Sequence, residues 1–137
     1  MIITKELRLE TRVDDIVDIT DLVGEAVEGS GMRSGLAVVF VPGATGAVTT
    51  IEHEPGLLSD LHEALERIAP KDREYAHNRR WEDGNGHSHI RAALLGPSLT
   101  VPFAEGRLML GVWQQIVFLE LDNRSRHRRI IVQMAGE

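Results

Sequence analysis

Residues 106–122 read GRLMLGVWQQIVFLELD, and this stretch decides the fold class. Gly106 and Gly111 bracket a short apolar element, Trp113 follows the second glycine, and QQIVFLE is a β-branched and aromatic run that ends on the acid Glu120. Such a pattern predicts a hairpin of 107–111 with 113–121, with Trp113 packed beside it. Working outward toward the C-terminus, RSRHRR at 124–129 predicts a solvated turn and 129–134 a last strand. Outward in the other direction, short β elements are expected at 89–95 and around 98–102. Residues 71–88 are polar and read as one long loop, a length that in compact domains usually carries function.

The N-terminal half mixes the two periodicities. Residues 2–10 alternate roughly with period two and suit an edge strand. Ile16, Ile19, Val23 and Val27 recur at helical steps, so 14–28 reads as a helix that starts at Asp14 and Asp15 and ends at Gly29 and Gly31. GLAVVFV at 35–41 is apolar on both faces and therefore predicted central, and GAVTTIE at 46–52 is strand-like. Pro55 opens a second helix whose stripe is Leu57, Leu58, Leu61, Leu65 and Ile68, and Pro70 stops it. Two helices against seven or eight strands predict an α+β fold in a single domain over 1–137. The helices should pack on a mixed, mainly antiparallel, barrel-like sheet that hides its edges.

The chain has 137 residues and no cysteine, which excludes a disulfide scaffold, a cysteine-based zinc site, an iron–sulfur cluster and a cysteine nucleophile. Chemistry must then rest on six histidines, carboxylates, arginines and hydroxyls. No apolar run reaches the ~20 residues that span a bilayer, and MIITKELRLE lacks a signal-peptide pattern, so no membrane is expected as partner and the cytoplasm is the expected compartment. Residues 1–66 carry 13 acids against 4 bases, and 67–137 carry 8 against 11, so the basic character belongs to the β-rich half. Overall acidity argues against a nucleic-acid partner, since the arginines of 124–129 lack interleaved aromatics.

The densest chemical signal is His77, His87 and His89. In a His-x-His pair on an extended chain both rings leave one face, so His87 and His89 could share an ion with His77 as third ligand. A divalent metal, zinc or magnesium, is the expected cofactor. No acid follows within IRAALLG, which excludes a cupin arrangement. Asp83-Gly84-Asn85-Gly86 predicts tight turns with exposed backbone N–H groups suited to an anion. Glu52 and Glu120 each end an apolar strand, where a carboxylate must be paired, bound to metal, or emerging into solvent. Arg91 and Arg107 are the candidates for holding oxyanions.

Tyr75-x-His77, Asn85-x-x-x-His89, LLGPSLTVP (94–102) and GRLMLGVWQQIVFLELD together resemble the YjbQ family, described as secondary thiamine-phosphate synthases. The likeness covers nearly the whole chain, ATGAVTTIE (44–52) included. It implies a compact α+β domain with a barrel-like sheet, assembled as a homotrimer. It also implies a pocket that gathers His77, His89, Glu52 and Glu120 as catalytic positions, with Asn85 and Thr45 nearby. The implied activity weakly couples a pyrimidine methyl pyrophosphate to a thiazole phosphate, so a phosphorylated small molecule is the expected ligand. The chain departs from the family at Gly43, where members often carry a histidine. Two other functions fit the same residues: a phosphometabolite-binding trimer without catalysis, and a metal-dependent hydrolase built on the histidines.

Overall fold

The computed structural model describes residues 1–137. Along the chain run β1 (Ile2–Thr11), β2 (Ile16–Asp18), α1 (Thr20–Ser30), β3 (Gly35–Phe40), β4 (Gly46–Ile51), α2 (Pro55–Ile68), α3 (Ala76–Trp81), α4 (Gly86–Leu95), β5 (Ser98–Ala104), β6 (Arg107–Leu108), β7 (Gln115–Glu120) and β8 (Arg126–Gly136). The strands form a five-stranded sheet in the order β1-β8-β3-β5-β6 and a three-stranded sheet in the order β2-β7-β4. Every strand pair is antiparallel, so the expected mixed character is corrected to a purely antiparallel one.

β7 is the spine of the molecule. Its period-two alternation sends Ile116 and Phe118 into a core shared with the larger sheet and α1, and sends Val117 and Leu119 against α2 and α4. A strand covered on both faces has no polar side to show, which is why QIVFLE reads as a continuous apolar run. Each such fully buried side chain contributes about 1.5–3 kcal/mol. The same alternation puts Glu120, fully buried, on the inter-sheet side at the end of the strand.

The edge-strand reading of β1, the central place of β3 and the helix from Pro55 to Ile68 all match the structure. α2 starts where Glu54 accepts hydrogen bonds from the amides of Gly56 and Leu57, with Pro55 supplying the preset φ of the first turn. Four expectations are corrected. The helix expected from residue 14 starts at Thr20, because Asp15 closes a turn back onto the Arg12 amide (2.7 Å) and the β-branched Ile16 and Val17 pair with β7. Asp18 then accepts from the Thr20 amide at 3.0 Å and opens α1.

The second correction concerns the loop at 71–88, which contains α3, while the strand expected at 89–95 is the body of α4; four helices, not two, cover the sheets. Third, 107–111 does not pair with 113–121. β6 returns on β5 through Glu105 and Gly106, both at positive φ, the geometry of a two-residue hairpin turn, and β7 belongs to the other sheet. Fourth, Trp113 is 74% exposed rather than packed. No helix is long and apolar enough to cross a membrane.

Candidate functional site

Tyr75 organises the segment that carries the histidines. Its hydroxyl donates to the Pro70 carbonyl at 2.7 Å, and its ring lies so close to Gly86 that a Cβ there would sit 2.6 Å from the tyrosine side chain. The Gly86 amide donates to Asn78 Oδ1 at 2.8 Å, which locks the start of α4 onto α3. Between them Glu82 and Gly84 take the left-handed conformation, reversing the chain in one short loop. This junction brings His77 of α3 and His89 of α4 together, with ring centroids 4.4 Å apart and planes tilted by 42°. Asp83 Oδ1 lies 3.5 Å from His77 Nδ1.

Helical phase separates the histidines that an extended chain would have aligned. Residues two apart on a helix of 3.6 residues per turn differ by about 200°, so His87 and His89 leave opposite sides of α4. His87 is buried (3% exposed) and faces the α2 side, where Arg91 lies one turn along. Burial, then the charges of Arg91 and Lys71, push the His87 imidazole below its usual range. The triad His77, His87 and His89 is therefore corrected to a pair, and no three His, Asp or Glu side chains converge to hold a metal ion.

The carboxylates divide in the same way. Glu120 accepts from Arg128 Nε at 2.7 Å and from Arg128 Nη2, from Thr11 Oγ1 at 2.6 Å and from the Asp122 amide at 3.1 Å, so both its oxygens are engaged within the fold. Thr45 belongs to the same network: its Oγ1 donates to Asp122 Oδ2 at 3.0 Å and accepts from Arg128 at 3.0 Å. Glu52 is exposed beyond the far end of β4, six residues from Gly46, about 20 Å at the rise of a strand. It does not join the histidines. At Gly43, where family members often carry a histidine, an added Cβ would meet the Arg128 guanidinium at 3.6 Å.

Neither arginine chosen for oxyanion binding reaches the pair. Arg91 Nε and Nη2 donate to the Ala69 carbonyl at 3.0 and 2.9 Å, and Nη2 also to Glu66 at 2.7 Å, so Arg91 ties α4 to the end of α2. Arg107 is exposed in a groove of about 510 Å³ between α1 and the 106–115 segment, opposite Asp21, Glu25 and Glu28. Neither His77 nor His89 lines that groove. The histidine segment is different: the buried side-chain polar atoms without a hydrogen-bond partner are His77 Nδ1, Asn85 Oδ1 and His87 Nδ1, all within it.

Asp122 is the site residue that the sequence reading passed over. It accepts from Asn85 Nδ2 (3.3 Å), the Asn123 amide (2.8 Å), Thr45 Oγ1 and Arg126 Nη1 (2.5 Å). Burial alone raises its carboxyl, but the hydrogen bonds from Asn123, Asn85, Thr45 and Arg126 outweigh it and hold Asp122 below the usual carboxylate range. The signal was available: alternation in LELD puts Glu120 and Asp122 on one face, and alternation in RSRHRR turns Arg126 and Arg128 toward them.

The family profile described as "UPF0047 protein YjbQ-like" matches residues 5–137. The chain belongs to this family. A UPF0047 protein of Methanothermobacter thermautotrophicus is 46% identical over 135 residues, covering 98% of this chain and 92% of that protein. A UPF0047 protein of Mycobacterium tuberculosis is 37% identical, covering 93% of each. Among solved structures, a YbjQ-like protein of unknown function from Sulfolobus solfataricus superposes with a TM-score of 0.90 at 34% identity, covering 100% of both chains. A YjbQ/UPF0047 protein of Clostridium acetobutylicum superposes with a TM-score of 0.87 at 38% identity, covering 96% of this chain and 99% of that one. The curled antiparallel sheet with its covering helices is thus the architecture that this family shares.

Proposed function

We propose that the cluster of His77, Asn85 and His89, backed by Asp122, binds a phosphorylated small molecule. The proposed reaction is of the secondary thiamine-phosphate synthase type, with the histidine pair handling charge and protons. The observation that carries this reading is the pair of unpartnered buried polar atoms in this cluster, His77 Nδ1 and Asn85 Oδ1. Such atoms cost stability unless a ligand or water meets them, and functional sites are where that cost is accepted.

In the proposed coupling, the bond from the pyrimidine methyl carbon to the pyrophosphate oxygen breaks and the bond to the thiazole nitrogen forms. Pyrophosphate leaves with the electron pair. A protonated His77 or His89 donates a hydrogen bond to that departing oxygen, and the Asp83 carboxylate lies 3.5 Å from His77 Nδ1. Arg126, held on Asp122 and part-exposed, adds positive charge nearby. The side chains do not form a three-ligand metal site, so no step passes through a metal.

The proposed assembly is a homotrimer. Supporting it, Leu36 and Phe40 point out from the five-stranded sheet at 50% and 41% exposure, an apolar face that a second copy of the chain would cover. The deciding experiment is a turnover assay with a pyrimidine methyl pyrophosphate and a thiazole phosphate. Thiamine phosphate should form with the wild-type protein and not with His89→Ala, whose oligomeric state should be unchanged. Equal turnover by the two proteins would overturn the assignment.

A further inference from the structure

An asparagine amide has two ends of opposite character, and here chemistry decides which end points where. The Asn85 side chain meets Asp122 Oδ1 at 3.3 Å. An ionised carboxylate only accepts hydrogen bonds, so the atom facing it must be the amide nitrogen. Thr45, Arg126 and the Asn123 amide crowd the same carboxylate with donors and keep it ionised. The amide cannot flip without setting its oxygen against that charge. Its carbonyl oxygen is then left on the other side, buried and unpartnered. Asn85 is the N-cap of α4 yet makes no side-chain capping bond, so this oxygen is not spent on the helix either. One turn along, on the same side of α4, stands His89 with His77 against it.

We propose that Asp122 is a positioning residue that fixes Asn85 with its carbonyl oxygen toward the histidine pair, so that the ligand of this site presents an N–H donor there in addition to its phosphate. This rests on reading the cluster as a phosphorylated-metabolite site. A free acceptor can be met by a donor hydrogen or by a cation. A cation would need further ligands, and no three His, Asp or Glu groups converge to supply them. A phosphate oxygen is excluded at this atom, because two acceptors repel. Asn85 therefore selects among phosphate esters by what they carry beside the phosphate.

The test uses three probes of related chemistry: phosphoethanolamine, which has N–H donors, phosphocholine, whose cation has none, and inorganic phosphate. With the full-length protein, calorimetry should give phosphoethanolamine an advantage over phosphocholine of about tenfold, the value of one hydrogen bond of ~1.4 kcal/mol. Asn85→Leu should erase that advantage, so that the two esters bind it with equal affinity. Equal affinity for the two esters in the wild-type protein overturns the donor proposal and leaves the phosphate site standing. Failure of all three probes to bind overturns the phosphate site itself. The orientation is then read without ligand, from hydrogen exchange of the Asn85 side-chain NH2. Slow exchange in the wild type that becomes fast in Asp122→Asn supports the positioning role, and equal exchange in the two proteins overturns it.

Discussion

Replacing Arg128 by Met keeps the length of the side chain and removes its charge from the centre of the buried network. Arg128 and Glu120 are 3% and 0% exposed, so neither charge has water to fall back on. The guanidinium donates from Nε and Nη2 to the two Glu120 oxygens, and from Nη2 to the Thr45 carbonyl and hydroxyl at 3.1 and 3.0 Å. After substitution Glu120 keeps only Thr11 Oγ1 and the Asp122 amide. A buried charge deprived of its partner costs about 3–5 kcal/mol. At about 4 °C per kcal/mol for a chain of this size, Tm should fall by roughly 12–20 °C, measured at fixed protein concentration. The double variant Glu120→Gln/Arg128→Met removes both charges and should recover about half of the loss or more, because most of the penalty belongs to the orphaned carboxylate. Urea unfolding at neutral pH measures both. A loss under about 1 kcal/mol for Arg128→Met, or a double variant no more stable than the single one, would refute the reasoning.

Four further outcomes follow from the structure. Because the His87 imidazole lies below its usual range when folded, the unfolded chain takes up a proton first as pH falls through about 6.5, and stability should decline below that value; His87→Gln should flatten the decline in urea titrations compared at pH 7.0 and 5.5. Asp122 works in the same sense at lower pH, lending stability above its usual value of 3.8 that is lost as pH falls below it. Gly86→Ala places a Cβ 2.6 Å from Tyr75, so it should destabilise by about 1–3 kcal/mol and reduce phosphate binding by displacing α4 from α3. Phe40→Glu, on the exposed sheet face, should turn the proposed trimer into a monomer in analytical ultracentrifugation, and an unchanged sedimentation coefficient would argue against that face as the subunit contact.

Most strands and α2 were legible because their signals are local: period-two apolar runs, and a proline-led amphipathic stripe bounded by Pro70. The failures lie where tertiary partners override local pattern. Ile16 and Val17 fit a helical stripe equally well, and only the open edge of β7 makes them a strand. GHSHIRAALL carries Ala and Leu that favour helix, but its histidine spacing suggested an extended chain, and that one error of period misplaced His87. Of the candidate residues, His77 and His89 lie ring against ring, and Asn85 and Thr45 both meet Asp122. Glu120 could be read as paired, metal-bound or emerging into solvent, and its pairing with Arg128 depends on β8 lying near by, a fact of topology that no spacing in the chain encodes. Arg91 and Arg107 were chosen on residue type alone, and type does not tell a tethered guanidinium from a free one.

The central claim, that the histidine pair of α3 and α4 is the ligand site, is tested most directly by following the six histidine rings by nuclear magnetic resonance as inorganic pyrophosphate is added. The rings of His77 and His89 should shift in a saturable way, and those of His53, His62 and His127 should stay in place. Shifts confined to the latter three, or no shift at any ring, would contradict the account.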